Sequence, residues 1–129
     1  MIISKPYLIL RAALVPLLTL VCCQNVNADI SINDFQKIAL KGTHEQKQAV
    51  EMYIGGVGAG YKWANTALQN FKQPLLFCFD GDMTTKDFYN MALEAISLRK
   101  KSNNAKDDGD TPTEMVLLIH LKKKYTCAQ

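Results

Sequence analysis

The chain reads as an all-α protein, a small bundle of about four helices, on three observations. Apolar residues recur at spacings of three and four through Val50, Ile54, Val57, Tyr61, Ala64, Leu68 and Phe71, which places them on one helix face. Helix-start signals stand at Thr43, Thr84 and Thr111, each with Gln46, Asp87 or Glu114 downstream as a capping partner. Cys78 and Cys127 flank the last two helical segments, where one disulfide would clasp a hairpin.

Residues 1–28 stand apart from that bundle. Lys5 and Arg11 precede or interrupt an apolar run from Leu8 to Cys23, and polar residues from Gln24 to Ala28 follow. This is the pattern of a secretory signal peptide cleaved after Ala28, with Val26 at the minus-three position. The run is too short, and its polar flank too near, for a transmembrane helix. Cys22 and Cys23 raise lipid modification as the competing reading, against Val21 or Cys22 where a small residue is usual.

Cleavage leaves residues 29–129 as a single domain of about 100 residues. Lys5 and Arg11 leave with the leader, so the formal charge of +3 falls to about +1 and no longer argues for nucleic-acid or membrane binding. Of the cysteines only Cys78 and Cys127 remain, in an oxidising compartment that favours their one intramolecular pairing.

The helices follow in order. Ser31 caps a short first helix with Ile32, Phe35 and Ile38 on one side, and Lys41-Gly42 ends it. Thr43 opens a long second helix that Pro74 stops. Thr84 and Asp87 cap a third, whose buried stripe is Phe88, Met91, Ala92, Ala95 and Ile96 and whose basic end, Arg99-Lys100-Lys101, suits the helix dipole. "SNNAKDDGD", Ser102 to Asp110, is a loop. Thr111, Pro112 and Glu114 then read as N-cap, first position and third position of a last helix, which is apolar nearly all round and therefore central or interfacial.

Within the second helix, "MYIGGVGAGYKWA" concentrates glycine. It is not a P-loop, since Tyr61-Lys62 follow Gly60 where Lys and a hydroxyl residue are needed, and it lacks the G-x-G-x-x-G order of a dinucleotide site. Glycine within a helix costs roughly 0.5–1 kcal/mol relative to alanine, so close packing of another helix is the expected compensation. Gly56 and Gly60 stack on one face with Gly55 and Ala59 as a parallel row, and Tyr53, Tyr61 and Trp63 frame the groove.

Enzyme chemistry finds little footing. His44, His120, Asp80, Asp82 and Glu94 are the candidate acids and bases, and none belongs to a G-x-S-x-G, H-E-x-x-H or cysteine–histidine signature. His120 fits a satisfied core or interface histidine better than a catalytic one. Neither histidine has ligand spacing with a cysteine, and neither the loop nor Asp80-Gly81-Asp82 has EF-hand order, so no metal or cofactor is expected.

From Tyr53 to Cys127 the chain resembles the Rap/Tai family of small exported immunity proteins, which protect bacteria from type VI secretion peptidoglycan amidases. The resemblance lies in "YIGGVGAGYKWA", in Phe77-Cys78, in the capped "MTTKDFYNMALEAI" helix and in "TPTEMVLLIHLKKKYTC". The chain departs from the family at Asp80 and Thr126, where prolines are frequent. The resemblance implies a non-enzymatic, often homodimeric inhibitor that binds a cell-wall amidase in the periplasm and blocks its cleft with a protruding loop. The loop so implied is Ser102 to Thr111, with Asn103, Asn104, Lys106, Asp107, Asp108, Asp110 and Thr111 as partner-binding residues. Its aspartates could accept hydrogen bonds from histidine or backbone donors of a cysteine amidase. The competing reading is an exported helical chaperone or general interaction module, which would expose apolar surface rather than a long polar loop.

Overall fold

The computed structural model describes residues 29–102 and 109–128; the expected leader, residues 1–28, lies outside them. Four helices are present among the described residues: α1 (Ile32–Lys41), α2 (His44–Asn70), α3 (Thr85–Lys101) and α4 (Thr113–Lys124). None is long and apolar enough to cross a membrane.

Local chemistry sets most of the helix ends. Ser31 Oγ accepts the Asp34 N–H at 3.1 Å and starts α1. Thr43 and Gln46 close a reciprocal capping box on α2, with bonds of 2.9 and 3.3 Å. Thr84 and Asp87 do the same for α3 at 2.8 and 3.2 Å. Each box satisfies two backbone donors that a helix start would leave unpaired.

α2 ends in a Schellman turn: Lys72 N–H reaches Gln69 O at 3.1 Å and Gln73 N–H reaches Leu68 O at 2.8 Å. Lys72 takes the left-handed φ of 53° that this turn requires, a position where glycine is usual. The turn corrects one expectation. Phe71, read as the last residue of the buried face, sits at the cap and is 76% exposed.

The start of α4 also differs from its sequence signal. Thr111 is not the N-cap; the helix begins at Thr113 after Pro112, with no side-chain cap. Extended pairing with the first described residues wins instead. Ile32 N–H donates to Thr111 O at 3.0 Å and Thr113 N–H to Ile30 O at 2.8 Å. These bonds hold Thr111 and Pro112 out of helical geometry and satisfy an early α4 donor from outside.

The core draws on every helix: Phe35 from α1, Ile54 from α2, Phe88 and Ile96 from α3, Leu117 and Leu121 from α4 are all fully buried. Burial of each such side chain contributes about 1.5–3 kcal/mol. α3 packs most extensively against α2 and α4, and α2 in turn touches all three of the other helices. α4, expected to be central or interfacial, is not covered all round by the bundle: Met115 and Ile119, one turn apart, face outward at 49% and 47% exposure.

The glycine run is used differently from its apparent pattern. A Cβ at Gly55 would overlap the Thr85 side chain, and one at Gly58 would overlap the Phe88 ring, so this pair admits α3. A Cβ at Gly56 or Gly60 would meet no neighbouring element within 4 Å among the described residues, and Ala59 is exposed. Tyr53 and Tyr61 turn inward and only Trp63 stays at the open face.

Cys78 and Cys127 form the disulfide, with Cα atoms 4.9 Å apart. It joins the residues leading into α3 to those leaving α4, so it closes the open end of their hairpin. Cys78 N–H bonds Tyr125 O at 2.7 Å beside it, and Phe79 meets the Tyr125 ring edge-on at 4.8 Å. Closing a loop of this length stabilises the fold by about 4 kcal/mol in the chain-entropy model.

Candidate functional site

At the other end of the hairpin, α3 and α4 are joined by the segment expected to bind a partner. Asn103, Asn104, Lys106, Asp107 and Asp108 lie outside the described residues. Of the remaining expected residues, Asp110 is exposed and Thr111 is half-buried with its carbonyl engaged by Ile32. Ser102 closes α3, its N–H bonding Leu98 O and Arg99 O at 3.2 Å and its hydroxyl donating to Arg99 O at 3.1 Å.

The C-terminal root of the segment is firmly held. Asn33 N–H donates to Gly109 O at 3.1 Å, and an antiparallel bridge joins Ser31 to Pro112. Residues 109–113 are thus tied to residues 30–33 in a short ribbon of backbone bonds that takes in a turn, the isolated bridge and the first residues of α1 and α4. This gives backbone partners to Gly109 and Thr111, which belong to no helix.

Glu114, immediately beyond this ribbon, ties it to α2. Its Oε1 accepts the Tyr53 hydroxyl and, at 3.2 Å, the Ile30 N–H. Its main-chain carbonyl accepts the Tyr61 hydroxyl at 2.9 Å. Two tyrosines, two turns apart on α2, therefore grip one residue at the head of α4. Burial first, then the Glu114 carboxylate that accepts its hydrogen bond, pushes the Tyr53 phenol well above the ordinary tyrosine range. Burial and the Glu114 charge raise Tyr61 as well.

Sequence reasoning missed this hub. It read Glu114 as a helix-start residue and both tyrosines as a frame for the glycine groove. The available signal was a pair of tyrosines on the apolar face of α2, since a buried phenol requires a hydrogen-bond partner.

The candidate acids and bases are scattered. His44, Asp80 and Asp82 are exposed, and Asp82 pairs with Lys62 at 3.2 Å. Glu94 and His120 do meet: Glu94 Oε2 lies 2.7 Å from Lys124 Nζ and 3.4 Å from His120 Nε2. The Lys124 hydrogen bond is the main influence holding Glu94 below its ordinary range, and Glu94 raises Lys124 in return. Among the described residues, no three His, Cys, Asp or Glu side chains converge as metal ligands would.

A second surface runs along α2. Met52 and Trp63 are 66% and 74% exposed, with open Gly56 and Gly60 between them at helical spacing. Trp63 borders a groove of about 310 Å³ that Ala59, Met83 and Phe88 also line.

Comparison of the chain with models of known protein families, with characterised proteins and with solved structures returned no match.

Proposed function

We propose that this chain is an exported immunity protein of the Rap/Tai kind, a non-enzymatic inhibitor that binds a type VI secretion peptidoglycan amidase in the periplasm and blocks its cleft with the 102–111 loop. The observation that carries the reading is the fixed root of that loop. Residues 109–113 are bonded to residues 30–33, Glu114 is held by Tyr53 and Tyr61, and a disulfide closes the far end of the same hairpin. A loop carried on such a base loses less freedom on binding than one on mobile supports, which favours tight association with a single folded partner. The acidic residues of the loop supply acceptors for the donors of a cysteine-amidase site.

In this reading the protein is a homodimer, and the α2 face is its contact surface. Each exposed helical glycine costs about 1 kcal/mol relative to alanine, and at Gly56 and Gly60 no close packing among the described residues offsets it. A second copy of α2 approaching between Met52 and Trp63 would supply the compensation.

One observation favours the chaperone reading instead. Leu40, Met52, Trp63 and Phe71 are each more than half exposed, the kind of surface that receives unfolded clients.

Calorimetric titration of the exported, oxidised protein separates the two. The immunity reading requires stoichiometric binding to the folded amidase encoded beside it and none to reduced, unfolded clients. Binding to unfolded clients alone overturns it.

A further inference from the structure

Glu114 has work left over after Tyr53, Tyr61 and Ile30 are counted. Its Oε2 is buried and accepts no hydrogen bond among the described residues. The donors on Oε1 are a phenol and a peptide N–H, both neutral. Glu114 is half-buried, and a carboxylate with one oxygen out of water and without a donor is best completed by a cation, because neutral donors on one oxygen do not replace the hydration lost by the other.

The backbone beside Ile30 offers a source of positive charge. Successive backbone nitrogens are separated by a single residue, so the nitrogen of Asp29 lies one residue from the Ile30 N–H that already touches the carboxylate at 3.2 Å. Asp29 is in the right neighbourhood, since its carboxylate is close enough to contribute to the upward push on the Tyr53 phenol. In the uncleaved chain that nitrogen is a neutral amide. Hydrolysis of the Ala28–Asp29 bond by a leader-removing peptidase consumes one water, leaves a carboxylate on Ala28, and converts the Asp29 nitrogen into an ammonium with three donors.

We propose that Glu114 is the docking site for the α-ammonium of Asp29, so that removal of the leader completes the root of the 102–111 loop. The inference rests on cleavage after Ala28 and deepens the proposed function by linking the inhibitory loop to export. Before cleavage, residues 30–33 pair with 109–113 through the backbone bonds already described. After it, an ion pair locks the same ribbon to the head of α4, and the base of the loop becomes rigid where an amidase would be met.

The test uses the full chain exported with its leader, with the new N-terminus read by intact mass. A second protein carries Gly-Gly inserted between Ala28 and Asp29, which moves the ammonium two residues away, and both are prepared again with Glu114→Gln. Amide exchange at Ile32, Asn33 and Thr113 is the readout. The insertion is expected to speed exchange about tenfold and to lower Tm by several degrees. Glu114→Gln is expected to do the same and to abolish any further effect of the insertion. Unchanged exchange on insertion, or an equal effect of insertion in both backgrounds, overturns the proposal. Should Glu114→Gln not fold, carbamylation of the Asp29 amine in the native protein decides the matter, and unchanged exchange after it is the contrary result. A mature mass that begins elsewhere than Asp29 overturns the leader reading and this inference together, while the inhibitory role of the loop is judged separately by amidase binding.

Discussion

Tyr61 donates its hydroxyl hydrogen to the main-chain carbonyl of Glu114 at 2.9 Å, which fixes the middle of α2 to the first turn of α4. Tyr53 donates to the side chain of the same residue. The two bonds differ in kind. One meets a neutral carbonyl and the other a carboxylate.

Tyr61→Phe is therefore expected to cost about 1 kcal/mol, and Tyr53→Phe about 1.5–3 kcal/mol, because hydrogen bonds to charged groups are the stronger class. Urea unfolding of the two variants measures the difference. Equal losses would mean that Glu114 Oε1 gains nothing particular from Tyr53.

The glycines of α2 separate by face. Gly58→Ala drives a methyl into the Phe88 ring and is expected to destabilise by about 1–3 kcal/mol. Gly60→Ala meets open space and is expected to stabilise the monomer by about 0.5–1 kcal/mol. If α2 is the dimer face, the same Gly60→Ala change weakens self-association in sedimentation equilibrium. Tighter association would rule that face out.

Lys72 occupies a left-handed position at the end of α2. Lys72→Gly is expected to raise stability by roughly 0.5–1 kcal/mol, since glycine takes this φ without steric cost and the side chain is solvent-facing. Thermal unfolding checks it, and a lower Tm would show that Lys72 makes a contact worth more than the strain.

Stability is expected to fall at both pH extremes. Asp87 is held below its ordinary value of 3.8 by its capping bonds to Thr84, and Glu94 below 4.5 chiefly by Lys124. A lowered carboxyl pKa gives stability that is fully present above the unfolded value and lost as pH falls through the folded one, so the acid loss begins below about pH 4.5. Tyr53 is raised, so its contribution is complete below the unfolded value of 10.0 and declines as pH rises beyond it. Tyr53→Phe should make the alkaline limb shallower without changing the acid one, and Asp87→Asn the reverse, as read from urea midpoints against pH, with Tyr61, Lys124 and Glu94 keeping the remainder of each slope.

What was legible in the sequence was local. Ser31, Thr43 and Thr84 announce α1, α2 and α3 because a cap involves only a few neighbouring residues. Thr111 carried an equally clear signal and lost to a competitor it could not reveal, the pairing of its carbonyl with Ile32. The run "GGVGAG" offers small rows on adjacent faces of one helix, and only the positions of Thr85 and Phe88 decide that Gly55 and Gly58 are the ones covered. Glu114 was least legible, because Tyr53 and Tyr61 that define its role are distant in the chain. The pairing of Cys78 with Cys127 was legible from composition once Cys22 and Cys23 were assigned to the expected leader, which leaves two cysteines with a single partner each.

The central claim is inhibition through the 102–111 loop, and the direct measurement is hydrolysis of purified peptidoglycan by the neighbouring amidase, titrated with the exported protein and with its Asp107→Ala and Asp108→Ala variants. The account predicts loss of activity at a one-to-one ratio with the unaltered protein, and at least about tenfold weaker inhibition by the variants, the equivalent of roughly 1.4 kcal/mol. Full amidase activity in the presence of excess folded, oxidised protein would contradict it.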